Sequence, residues 1–276
     1  MDESTGAGTS LPIDFYEPSR RSRTPVFLLP GLAGGSWMWE PVAVEMSKQG
    51  HPVAVLSNAL GLHPQVQHHE RLVDEVTAVV RDTFSEPLVL AGNSLGGLVA
   101  TQIAAAQPQM VCALVLTGSA GLGEQPLPLS SSQLHTVSKS FAAEQAKRFF
   151  FHNSALVTPE LTDKAYEPFI NASSRQKLAM LRSVRLTRDY DARHHFAVIA
   201  APTLLVWGSD DHLTPAEPWR AAPSYFRRCR YTEIPAVGHS PMFEKPGEFV
   251  ALVAEFLDEI AHEQPELTSV VTERDK

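Results

Sequence analysis

Short runs of unbroken apolar residues alternate along this chain with longer stretches in which apolar residues recur every three or four positions. The first kind lies at 25–29, 51–58, 88–91, 111–117 and 202–208. Runs without polar alternation suit strands of a parallel sheet covered on both faces. The second kind predicts helices over 36–49, 70–84, 95–107 and 246–262, with Ser36 as the cap of the first and Gly50 as its stop. Residues 13–17 predict a short edge strand, 216–222 a short helix and 230–234 a last strand. Strand and helix in turn imply an α/β fold, a mostly parallel, doubly wound sheet whose site lies at the carboxyl ends of its strands.

That alternation breaks between 122 and 198. Pro126, Pro128 and a serine run read as a linker, and helical spacing without strands follows at 138–151, 159–170 and 175–187. Aromatic residues gather there, among them Phe141, Phe149, Phe150, Phe151, Tyr166 and Phe169. A helical insertion at the edge that carries the site reads as a cap. The expected organisation is a polar tail and edge strand over 1–24 and a core over 25–121 and 199–262. The cap spans 122–198 and a charged tail 263–276.

Composition narrows the function classes. Apolar residues make up 43% of the chain and charged residues 20%, enough for a sizeable core. The net charge of −8 and the absence of a basic cluster beyond Arg20–Arg23 and Arg227–Arg230 argue against nucleic acid. No signal peptide and no bilayer-length apolar run is visible, and Cys112 and Cys229 form no framework. These features predict a cytoplasmic protein with no membrane role and a small molecule as partner. A homodimer is left open.

The chemistry centres on Gly92-Asn93-Ser94-Leu95-Gly96-Gly97. A strand turns there into a helix with Ser94 at the apex, and Gly92 and Gly96 relieve the corner. The helix start suits an oxygen that gains negative charge. A serine hydroxyl needs a base, and the base needs an orienting carboxylate. Asp210 or Asp211 follows a later strand and His239 the last one, so serine, acid and histidine occur in that order at strand ends. The pairs His68-His69 and His194-His195 suggest metal only weakly, because adjacent histidines point apart on regular structure and no carboxylate cluster completes a site. His212 reads as solvent-facing.

Leu-Pro-Gly-Leu at 29–32, Gly-Asn-Ser-Leu-Gly-Gly at 92–97, Val-Trp-Gly-Ser-Asp-Asp-His-Leu-Thr-Pro at 206–215 and Val-Gly-His-Ser-Pro-Met-Phe-Glu-Lys-Pro at 237–246 together resemble the four motif loops of the capped α/β-hydrolases. The resemblance covers roughly residues 25–260, with Pro30 standing where the family commonly carries histidine. It implies Ser94 as nucleophile, His239 as base and, by the spacing from Gly208, Asp211 rather than Asp210 as acid. It further implies backbone donors at Leu32 and Leu95 for the oxyanion, and no metal or organic cofactor. Trp37, Met38, Asn93, Phe141 and Phe150 are the expected pocket residues. One of Arg182, Arg185 and Arg188 is a candidate for meeting a substrate carboxylate.

The expected activity is serine hydrolysis of a small, largely apolar ester, thioester or lactone. The alternatives are carbon–carbon hydrolysis of the ring-fission-product type, cofactor-free lyase, elimination or perhydrolysis chemistry, and a non-catalytic ligand binder.

Overall fold

The computed structural model describes residues 11–123, 138–188 and 190–263. The polar residues before Leu11, the linker prolines Pro126 and Pro128 and the tail beyond Glu263 lie outside the described residues.

A seven-stranded sheet runs in the order β1-β3-β2-β4-β5-β6-β7. Its strands are β1 (Ile13–Tyr16), β2 (Val26–Leu29), β3 (Val53–Leu56), β4 (Leu88–Asn93), β5 (Val111–Thr117), β6 (Thr203–Gly208) and β7 (Cys229–Ile234). Every pairing is parallel except that of β1 with β3. The expected doubly wound parallel sheet is therefore the architecture of the chain.

The unbroken apolar runs serve two cores at once. Along β2, Phe27 and Leu29 face one cluster while Val26 and Leu28 face the other, and the same alternation holds for Leu205 and Trp207 against Leu204 and Val206. Successive side chains on a strand point to opposite faces, so a strand covered on both sides needs apolar residues at every position. Helices α1 (Glu40–Lys48) and α7 (Pro246–Glu263) cover one face through Val42, Met46, Phe249 and Val253. Helices α2 (His69–Thr83) and α3 (Leu95–Ala106) cover the other through Leu72, Val76, Leu98 and Val99. The edge strands β1 and β7 are only partly buried.

One boundary differs from the expectation. Ser36 caps no long helix. It opens a single 3₁₀ turn (Ser36–Met38) whose N-cap residue is Gly35, and α1 starts only at Glu40. Pro41 stands in the first turn of α1, where its missing N–H costs nothing and its fixed φ starts the helix. Gly50, at φ 98°, then stops the chain from continuing.

Between β5 and β6 lie α4 (Lys139–Gln145), α5 (Pro159–Ile170) and α6 (Ser174–Arg188). Ser138 caps α4 by accepting the Phe141 N–H. The helix predicted to run on to 151 instead widens into a π turn over Ala146–Phe150. Among the described residues no helix is long and apolar enough to cross a membrane.

Candidate active site

Parallel strands bring the ends of β2, β4, β5, β6 and β7 to one rim of the sheet. Ser94 sits between β4 and α3 at φ 57°, ψ −122°, a conformation that a residue with a side chain holds only under constraint. The constraint comes from both sides. The Ser94 N–H donates to Thr117 O at 3.2 Å and its carbonyl accepts from Ala120 N at 3.0 Å. A Cβ at Gly92 would lie 2.5 Å from the Gly96 carbonyl carbon, and one at Gly96 would lie 2.5 Å from the Leu29 carbonyl oxygen. Only glycine lets helix and strand close so tightly beneath the serine.

The loop after β6 carries Asp211, and the loop after β7 carries His239. Both are buried. His239 Nδ1 lies 2.9 Å from Asp211 Oδ2. The Asp211 carboxylate also accepts from the backbone N–H groups of Leu213 (2.9 Å) and Thr214 (2.8 Å) and from the Thr214 hydroxyl (2.7 Å). That many donors fix the orientation of the carboxylate. The Trp207 indole donates to Thr214 O at 2.8 Å and ties this loop to the buried end of β6. Asp210, the rival carboxylate, turns outward to Ser209 Oγ (2.8 Å) and His152 Nδ1 (3.4 Å). The other ring nitrogen of His239, Nε2, is buried without a partner among the described residues, and the residue lines the same cavity as Ser94. Such nucleophile–base contacts commonly tighten only with substrate bound.

Leu95 is the first residue of α3, so its N–H has no acceptor within the helix. Leu32 belongs to the loop that follows β2, and both residues line the cavity beside Ser94. That cavity has a volume of about 410 Å³. Trp37, Met38, Phe150 and Leu213 line it, and Phe141, Tyr166, Phe169 and Ile170 complete it from α4 and α5. Trp37 is held edge-on against Phe243, with ring centroids 5.6 Å apart. The cavity is thus mainly apolar.

Each expected pocket residue lines this cavity, but Asn93 does so with its amide turned away into the core. Its Nδ2 donates to the backbone carbonyls of Thr117 and His239, both at 3.1 Å. Of the three candidate arginines on α6, Arg188 lines the cavity, Arg182 donates to Gln67 Oε1 at 2.9 Å, and Arg185 is exposed. Sequence reasoning missed Lys177, which shares a helical stripe with Met180, Val184, Thr187 and Arg188 toward the cavity. The spacing of that stripe was the available signal.

One of the two histidine pairs departs from the expectation. His194 and His195 do not point apart. Their ring centroids are 3.9 Å apart, and the two Nε2 atoms lie 3.3 and 2.6 Å from the Tyr190 hydroxyl. The short helix Arg193–Phe196 turns tightly enough for both rings to swing onto one partner. No group of three or more histidine, cysteine or acidic residues that could hold a metal occurs among the described residues. His68 and His212 are exposed. Cys112 and Cys229 are free, and burial pushes their thiols up to about 11 and about 12, which leaves neither as a thiolate near neutral pH.

Burial, followed by the neighbouring His194 and His69, lowers the His195 pKa from 6.5 to about 4. The folded value lies below the unfolded one, so between these limits the unfolded chain binds more protons and stability rises with pH. The contribution is complete above pH 6.5 and is lost as the pH falls toward 4. Urea midpoints should therefore fall between pH 7 and pH 4.5, and His195→Gln should flatten that fall. An equal slope in both proteins would assign the acid sensitivity elsewhere.

Comparison with known proteins follows the same lines. Over 247 residues the chain is 27% identical to the 2-hydroxymuconate semialdehyde hydrolase of Pseudomonas sp. (strain CF600), covering 85% of this chain and 87% of that protein. It is 28% identical over 197 residues to a pimeloyl-[acyl-carrier protein] methyl ester esterase of Neisseria meningitidis serogroup C, covering 68% and 75%. The solved meta-cleavage product hydrolase of Pseudomonas fluorescens IP01 superposes with a TM-score of 0.74 at 20% identity, over 90% of this chain and 93% of that one. The sequence model of the alpha/beta hydrolase family matches residues 26–252, and the chain is a hydrolase that belongs to this family.

Proposed function

We propose that the protein hydrolyses a small, largely apolar carboxylic ester, thioester or lactone through Ser94, His239 and Asp211. The observation that carries this reading is a strained serine and a carboxylate-bound imidazole opening together into one mainly apolar cavity. His239 Nε2 takes the Ser94 proton as Oγ attacks the carbonyl carbon. Asp211 holds Nδ1 protonated and stabilises the imidazolium that forms. The N–H groups of Leu95 and Leu32 receive the developing oxyanion, a donor of this kind contributing roughly 3–4 kcal/mol. Collapse expels the alcohol with the proton from His239 and leaves an acyl-enzyme. Water, activated by the same imidazole, then releases the acid.

A second reading is carbon–carbon hydrolysis. The similarity to the 2-hydroxymuconate semialdehyde hydrolase over most of both chains supports it. The same groups would serve, with a carbanion in place of the alcohol as leaving group.

A series of p-nitrophenyl esters of increasing acyl length separates the two. The expected result is turnover that rises with acyl length and then falls once the chain outgrows a cavity of about 410 Å³. Folded protein that labels with a fluorophosphonate yet turns over none of these esters would sink the ester reading and favour carbon–carbon cleavage.

A further inference from the structure

The histidine-loop motif carries a carboxylate, Glu244, that the reaction above does not use. It ends the short helix Pro241–Glu244 that follows His239. Its two oxygens are divided between two parts of the chain. Oε1 accepts the Gly238 N–H at 2.6 Å, and Oε2 accepts the Asn153 N–H at 3.0 Å, just beyond the π turn of the cap. The next N–H along the histidine loop is also satisfied by the cap, since His239 N donates to Phe150 O at 3.1 Å. The Phe150 ring meets the His239 ring edge-on at 5.7 Å. Gly238 makes room for this, because a Cβ there would lie 2.8 Å from His152 N. On the acid side, His152 Nδ1 reaches Asp210 Oδ2 at 3.4 Å. Burial pushes the Glu244 carboxyl up, against the N–H groups of Asn153, Gly238 and His152, which favour its ionised form.

A half-buried carboxylate that accepts only backbone N–H groups from two separate segments fixes those segments relative to each other. One segment is the backbone of the catalytic histidine and the other is the cap. We propose that Glu244 is a positioning residue that couples docking of the cap to placement of the His239 imidazole, so that the base is competent only beneath a seated cap. This rests on the reading of His239 as the base.

Two substitutions cut the link from opposite ends. Glu244→Gln keeps the shape but turns one acceptor into a donor facing an N–H. Asn153→Pro removes the other N–H, and Asn153 already holds φ −82°, close to what proline requires. Asn153→Ala keeps that N–H and loses only the side-chain cap on Ala155 N. Each variant, and the double variant E244Q/N153P, is compared with wild type for its rate of fluorophosphonate labelling and for kcat and KM on one p-nitrophenyl ester, per labelled site.

E244Q and N153P should each slow labelling and lower kcat about tenfold or more, with KM within about threefold of wild type. N153A should behave as wild type, and the double variant should be no worse than either single one. A lower melting temperature with an unchanged rate per labelled site would reduce Glu244 to a structural bond and overturn the proposal. So would a slow E244Q beside a normal N153P, because the cap would then play no part. If E244Q does not fold, N153P against N153A decides. Wild type that fails to label overturns the assignment of Ser94 and His239 and the coupling with it. Wild type that labels, with variants labelling at the same rate, overturns the coupling alone.

Discussion

Ser94→Ala lowers ester hydrolysis by at least about 10⁴-fold, with the protein still folded. The substitution removes one oxygen and nothing else. Alanine tolerates φ 57° about as poorly as serine does, so the elbow's strain is unchanged and stability should move by less than about 1 kcal/mol. In the proposed reaction the lost atom is the one that attacks, and His239 then has no proton to take. Because the two residues act in one step, S94A/H239A should cost no more than S94A alone. Steady-state turnover of a p-nitrophenyl ester, beside urea unfolding of the same preparations, makes the measurement. An S94A protein that kept about a tenth of wild-type turnover, against the loss expected for a nucleophile, would remove Ser94 from the chemistry.

Gly96→Ala destabilises the fold by about 3 kcal/mol, at the upper end for an overpacked site. The added methyl meets the backbone carbonyls of Leu29 and Pro30, at the end of β2 and just after it, rather than a movable side chain. Relief requires α3 and β2 to separate, and that shift displaces the start of α3 together with Ser94, its N-cap residue. Activity should therefore fall with stability. Gly247→Ala is the matched control, since a Cβ there meets nothing within 4 Å and lies in the helix Pro246–Glu263. It should be neutral or slightly stabilising, as alanine has the better helix propensity. Comparable urea midpoints for G96A and G247A would show that the corner yields more easily than its packing implies.

The strands were legible in sequence because each run answers to two faces at once. Val26-Phe27-Leu28-Leu29 can be written without a polar residue only where helices cover both sides, and they do. The turn at Ser94 was legible for a similar reason. Gly92 is demanded by contacts with Gly96 and Gly97 a few residues on, where spacing carries the information, while Gly96 answers to the Leu29 and Pro30 carbonyls at the end of another strand. The start of α1 lies later than spacing predicts because a serine before an apolar stretch is a weaker signal than Pro41 a few residues on.

Sequence by itself determined the local grammar of this protein: which runs become strands, where the chain must turn without a Cβ, and in what order serine, acid and histidine follow their strands. Tertiary structure alone decided what those loops meet. His194 and His195 share Tyr190, the Asn93 amide turns to the backbone of His239, Asp210 faces His152 while Asp211 faces the imidazole, and Glu244 reaches Asn153, 91 residues away. Periodicity reports only whether a side chain faces the core or the solvent. Which partner it finds there depends on loops closing over long stretches of chain, and a hydrogen bond across such a distance leaves no spacing to read.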